Sequence, residues 1–216
     1  GVSQGLSWSM TVVMKIDLVG PQRRGLAMGL NECAGYVALA ASAYATGWIA
    51  SRSGLGPEPF YLGVAFVLGG IILSILVRET RGHATLESAR HRDRGSGDER
   101  NVFWRTTLRD RNLSGVTQAG LINNLNDGMA WGLFPLLFAA TGLDLAAIGL
   151  LAAIYPATWG VGQLATGALS DRVGRKWLIV AGMWTQALGI VLVAMSNTFG
   201  GFAAGAALLG LGTARV

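Results

Sequence analysis

Charge is scarce in this sequence. Only 13% of its residues are charged, against roughly 25% in soluble domains, and those few gather in short stretches between long apolar runs. An ordinary soluble domain is thereby excluded. Cysteine is almost absent: Cys33 stands alone in an apolar run, so no internal disulfide is possible and its reading is that of a small packing residue. The two histidines, His83 and His91, share one hydrophilic stretch without ligand spacing. No metal site and no cofactor are expected. A phosphate loop ending in Gly-Lys-Ser or Gly-Lys-Thr is missing, which argues against coupling to ATP in this chain. No nucleophile–base constellation points to an enzyme.

Apolar residues are plentiful instead. They make up 51% of the chain, with 32 glycines among 216 residues, an excess that suits membrane helices packed closely on one another. A membrane span takes about 20 mostly apolar residues as helix. Five such segments are complete, at 25–50, 58–77, 113–139, 145–168 and 177–196. Partial ones lie near 1–18 and from 199 onward. Because residue 1 and Val216 both fall inside apolar segments, the sequence reads as a middle piece of a longer protein.

The exception to the short connectors is 78–112, which carries nine arginines, six acidic residues and a Gly-Ser-Gly at 95–97. Its centre is expected to be a flexible linker. Its end, Val102-Phe103-Trp104 with Leu108, mixes apolar and basic residues at helical spacing and is expected to lie along the membrane surface, with Trp104 at the interface.

The formal charge of +5 does not suggest nucleic acid, because the basic residues flank apolar spans. Lys15, Arg23 and Arg24, the nine arginines of 78–112, and Arg172, Arg175 and Lys176 occupy alternate connectors. The opposite connectors hold only Arg52, and Arg215 falls in the last span. By the positive-inside rule the first set is cytoplasmic.

Polar residues inside spans are the next signal. Segments 58–77 and 177–196 carry no interior charge, and only Thr185 and Gln186 interrupt the second. Segment 25–50 carries Asn31 and Glu32, and segment 113–139 carries Asn123, Asn124, Asn126 and Asp127. A carboxylate at mid-membrane costs at least about 2.5–3.5 kcal/mol on insertion scales, so such residues usually face a wet cavity. Asp127 is the best candidate for a solute or proton site, and the three asparagines suit a polar solute. The competing reading is a hydrogen-bond network that fixes helix packing. Glu32 is either a gate partner for nearby arginine or a solute contact. Lys15 and Asp17 are read as structural. Tyr155, Trp159 and Gln163 either reach a cavity or pack, Pro156 is a candidate kink, and Arg215 is a candidate partner for an anionic group.

Residues 167–176 read Gly-Ala-Leu-Ser-Asp-Arg-Val-Gly-Arg-Lys. This resembles the G-x-x-x-D-R-x-G-R-[KR] loop of major facilitator superfamily transporters, found between their second and third helices and often again between the eighth and ninth. Gly174 permits the tight turn, and Asp171 suits the positive N-terminal end of the following helix. The resemblance implies a gating loop of Gly167, Asp171, Arg172, Gly174, Arg175 and Lys176 that locks one conformation of a cavity; the alternative is a loop that sets topology only. Placed between the eighth and ninth helices, it makes 1–18 the end of the fourth helix and puts the last segment in the tenth. The stretch from Gly20 to Glu32, with Pro21 and Gly25 framing a turn, is also similar to the loop after the fourth helix.

The resemblance implies an all-α helical bundle, a fragment of a 12-helix, two-half transporter. Residues 1–77 would end the N-terminal half, 78–112 would be the cytoplasmic central loop, and 113–216 would begin the C-terminal half. In that fold the seventh helix lines the cavity and the sixth and ninth lie outside, which matches the placement of Asp127 and of the two charge-free segments. Two departures stand out. Gly1 occupies the arginine position of the R-x-x-Q-G element that ends here at Gln4-Gly5, and 25–50 contains no proline, so the G-P-x-x-G-G element is missing. Both argue against a typical drug antiporter. The expectation is a monomeric, alternating-access secondary transporter of a small solute in a bacterial inner membrane, coupled to an ion or to protons. Its partners are the lipid bilayer and the solute. The rival is a solute sensor or regulator of the same fold that moves nothing.

Overall fold

The computed structural model describes residues 10–12, 14–15, 24–76 and 103–216. Most of the expected first segment, with Asp17 and Arg23, and the connector 78–102 lie outside the described residues. Six long helices follow the apolar runs: α1 (Arg24–Ser53), α2 (Glu58–Ile75), α3 (Arg111–Ala140), α4 (Leu145–Val173), α5 (Lys176–Met195) and α6 (Phe199–Thr213). Together they form an all-α membrane protein. The chain reverses between them at Gly54, Gly142 and Gly174, all with positive φ. Gly174, at φ 87° and ψ 170°, holds a conformation open essentially to glycine alone.

The helix starts are chemically marked. Asp110 accepts hydrogen bonds from the amides of Asn112 and Leu113 at the head of α3. Asp144 does the same for Ala147 in α4, and Thr198 for Gly201 in α6. Each satisfies amides that have no intrahelical acceptor. Four helices (α1 from Gly25, α2, α4 and α5) are long and apolar enough to cross a membrane by length and composition. At 30 residues α3 has the length, but its Asn and Asp lower its hydropathy. Its reading as a span rests on the family register. The 15 residues of α6 are apolar but fewer.

Among lipid tails, helices gain little from burying apolar surface and associate instead by close packing. The most extensive contact is between α1 and α4, and it depends on missing side chains. A Cβ placed on Gly47 would lie 2.6 Å from the Cα of Gly149, and one on Gly25 would lie 2.5 Å from the carbonyl oxygen of Gly167. These pairings run in opposite senses along the two helices, so α1 and α4 are antiparallel and touch backbone to backbone near both ends. Between them, Tyr36 stacks on Trp159 with ring centroids 3.4 Å apart.

A second set of helices, α4, α5 and α6, closes on an apolar core. Phe138, Leu151, Val193, Phe202 and Leu209 are its most buried members, and Phe138 and Phe202 have centroids 4.8 Å apart. The α3 helix reaches this core with Ala130, Phe134 and Phe138 but touches its neighbours sparingly along the rest of its length. No residue of α2 is buried, as the charge-free sequence leads one to expect of an outer helix.

The segment before α3 differs from the expected surface helix. From the helical residues Phe103 and Trp104 the backbone widens into a π turn, Arg105–Arg109, closed by the Asp110 amide on the Arg105 carbonyl. The Thr117 hydroxyl also reaches the Thr106 carbonyl. The segment is folded onto the head of α3, with Phe103, Trp104 and Leu108 exposed.

Candidate functional site

Asp127, halfway along α3, is 4% exposed. The Tyr155 hydroxyl of α4 donates to its Oδ1, and the Thr213 hydroxyl of α6 lies 3.3 Å from the same phenolic oxygen. Three helices therefore meet at one buried carboxylate. One turn further along α4, the buried indole N–H of Trp159 has no acceptor among the described residues, and its ring is 5.8 Å from that of Tyr155.

The asparagines do not surround Asp127. Asn126 donates to Gln186 Oε1 at 2.6 Å, and Gln186 Nε2 donates to Asn123 Oδ1 at 2.7 Å. Gln186 itself is fully buried. This is a closed amide relay between α3 and α5, and it satisfies Gln186 within the bundle. Asn124 is exposed and bonds the Gly120 carbonyl of its own helix at 3.0 Å. The expected four-residue cluster thus divides into a carboxylate site, a packing clamp and an outward-facing residue.

A cavity of about 310 Å³ opens beside Tyr155. Its walls come from α1 (Leu39, Ala43), α3 (Ala130, Trp131, Phe134, Pro135, Phe138) and α4 (Leu151, Ala152, Tyr155, Pro156). Both internal prolines belong to it. A proline cannot donate to the carbonyl four residues earlier, so the carbonyls of Trp131 and Ala152 lose their ordinary helical donor, and both residues line the same cavity.

At the basic end of the bundle, Asp171 reaches a helix N-terminus, as its motif suggests, but of α1 rather than of the following α5. It accepts from the Gly25 amide at 3.2 Å and from the Leu26 amide at 3.3 Å. These are among the first, otherwise unpaired, amides of α1, where a negative charge is favoured. Gly167 and Ser170 crowd the same point, since a Cβ on Gly25 would meet both within 2.7 Å. Gly174 makes the turn, while Arg172, Arg175 and Lys176 are exposed.

Nearby on α1, Asn31 is buried and accepts from Lys15 Nζ at 2.9 Å. Its amide lies 3.5 Å from Glu32 Oε1. Arg215 turns to Thr185 of α5, with Nη1 at 3.3 Å from the hydroxyl, and to the Leu211 carbonyl at 3.2 Å, away from Asp127. Sequence reasoning weighed Tyr155 but missed Gln186 and Thr213. The available signal for Gln186 was a single amide in an otherwise apolar span. Among the described residues no group of His, Cys, Asp and Glu has metal-site geometry.

Residues 116–215 match the model of the Major Facilitator Superfamily. Over 74 residues the chain is 45% identical to the inner membrane transport protein YajR of Escherichia coli, which covers 34% of this chain and 16% of that protein. It is 26% identical over 101 residues to the fosmidomycin resistance protein of the same organism, 47% of this chain and 25% of the relative. A myo-inositol transporter of Cryptococcus neoformans is 44% identical over 52 residues, 24% of this chain and 9% of its own length. The aligned stretches therefore span a quarter or less of these relatives. No solved structure matches the chain.

Proposed function

For a chain that belongs to the major facilitator superfamily, we propose that it is part of a secondary transporter moving a small solute by alternating access. The observation that carries this reading is the buried Asp127–Tyr155 pair beside a cavity walled by three membrane helices. An ionisable group at that depth is tolerated where it meets protein partners or a wet cavity, and such positions mark solute or ion pathways. Here one oxygen of Asp127 is held by Tyr155.

In this reading α1 and α2 are the fifth and sixth helices and end an N-terminal half at residue 77. Residues 78–112 are the central cytoplasmic loop, and α3 to α6 begin the second half. The contact of Asp171 with α1 then joins one half to the other on the cytoplasmic side, acting as a latch with Gly167 and Gly174, while Arg172, Arg175 and Lys176 hold the loop in water. The protein would lie in a bacterial inner membrane, as the name of the relative from Escherichia coli suggests; it would act as a monomer and draw on an ion or proton gradient. The relatives' names point to unlike solutes, so they do not name one substrate for this chain.

The test is flux of sugars, organic acids, amino acids and amines across proteoliposomes holding the full-length protein, beside Asp127→Asn. The expected result is flux of one class above protein-free liposomes, lost in the variant. A folded protein that binds a solute but moves none would favour a sensor instead.

A further inference from the structure

The seam between α1 and α4 holds a donor with nothing to donate to. Trp159 is 5% exposed, and its indole N–H is the one buried side-chain polar atom without a hydrogen-bond partner among the described residues. Nearly every buried polar group in a folded protein is paired, so an orphan calls for a physical reason. Packing does not supply one. The Trp159 ring lies against that of Tyr36 with centroids 3.4 Å apart and planes 22° apart, and a ring without a donor stacks by the same forces.

Trp159 is anchored on one side of the seam and covered from the other. Its backbone belongs to the contact of α4 with α6, where a Cβ on Gly210 would lie 3.0 Å from the Trp159 nitrogen. Its cover comes from α1, through Tyr36. The next residue, Gly160, lets α1 come close: a Cβ there would lie 3.1 Å from the Tyr36 Cβ and 3.2 Å from the Cys33 carbonyl oxygen. When α1 moves off α4, Tyr36 leaves with α1 and Trp159 stays with α4 and α6. The indole then gains access to water. In the closed arrangement its N–H has given up water and received no acceptor, a penalty equivalent to about five- to 150-fold in a two-state equilibrium.

We propose that Trp159 is a built-in opening bias: its unpaired N–H raises the energy of the closed α1–α4 seam and keeps that closure reversible. This rests on the alternating-access reading for its purpose, but the bias is measurable without transport. Backbone contacts at Gly25–Gly167 and Gly47–Gly149 hold the seam near both ends, and Asp171 adds to the hold at one of them. Between those ends the orphan donor works against closure. A device that alternates needs neither of its states to dominate, and this one group offsets part of what the seam gains from close packing.

The experiment uses the full-length protein in lipid nanodiscs and follows the reaction of Cys33 with N-ethylmaleimide by mass spectrometry, with thermal unfolding as the check on folding. Cys33 is half-buried at the level of the stack, so its labelling rate tracks the open population. Benzothienylalanine at position 159 keeps the shape of the indole and puts sulfur in place of the N–H. Labelling is expected to slow about fivefold or more in that variant, the worth of one unpaired donor. Tyr36→Ala, which removes the cover, is expected to speed it. A rate unchanged or raised by the sulfur analogue would overturn the proposal, because the N–H would then carry no bias. An unchanged rate in a folded Tyr36→Ala protein would overturn it too, because the stack would be no part of the closure. Should the analogue fail to fold, Trp159→Phe supplies the second variant, with slower labelling again expected and an unchanged or faster rate counting against the bias. Failure of the transporter reading looks different: the analogue slows Cys33 labelling, yet the parent protein moves no solute in proteoliposomes.

Discussion

At the residue scale, the site depends on which residues hold Asp127. Tyr155 donates to it and Thr213 lies beside that phenol, so removing the phenolic hydroxyl leaves a buried carboxylate short of a donor. Tyr155→Phe is expected to destabilise the protein by about 1–3 kcal/mol. Unfolding of Tyr155→Phe, Asp127→Asn and the double variant should show non-additive losses, since the two residues share one bond. Additive losses would mean that the contact contributes nothing of its own. The asparagines should separate in the same assay. Gln186→Leu strands Asn123 and Asn126 and should cost about as much, whereas Asn124→Ala should lie within about 0.5 kcal/mol of the parent, as surface changes do. The pairing of 123 with 126 and 127 on one helix face was legible from their i, i+3 and i, i+4 spacing, but 124 also stands at i, i+3 to 127, so its outward turn was not. What the spacing does not contain is which helix receives that face. Gln186 lies 60 residues from Asn126, and nothing in an apolar run names its partner.

At the scale of elements, the helix spans were readable because apolar runs and turn glycines mark them. The expected segment 113–139 appears as Arg111–Ala140, and 177–196 as Lys176–Met195. The partnership of α1 with α4 was not readable. It rests on Gly25, Gly47, Gly149 and Gly167 meeting backbone to backbone, and 32 glycines spread over every helix do not announce which ones meet. Filling that contact should be costly. Gly167→Val forces a side chain onto the Gly25 carbonyl, with an expected loss of about 1–3 kcal/mol from overpacking, seen as a lower unfolding temperature. Gly63→Ala on α2, with open space around it, should be tolerated. The latch makes a kinetic prediction of its own. Asp171→Ala removes about 1 kcal/mol of favourable interaction at the head of α1, so the basic end should open several-fold more often. Cys33, on α1 and half-buried, reports this opening: its rate of reaction with a small permeant maleimide is expected to rise several-fold. An unchanged rate would mean that Asp171 caps α1 without restraining it.

At the scale of the whole molecule, the central claim is that one end of the cavity closes as the other opens, with Asp171 on α1 as the cytoplasmic closure and Leu39 in the wall of the opposite opening. Reciprocal cysteine accessibility tests this most directly. In the full-length protein with Cys33→Ser, Leu39→Cys reports the cavity and Ser170→Cys the latch, each labelled by an impermeant maleimide from its own side of the membrane. The measurement is the change in both rates when Asp171→Ala is introduced. Labelling at Ser170→Cys is expected to rise while labelling at Leu39→Cys falls. Both rates rising together, or the cavity rate staying constant while the latch opens, would contradict it, because the two ends would then not belong to one alternating device.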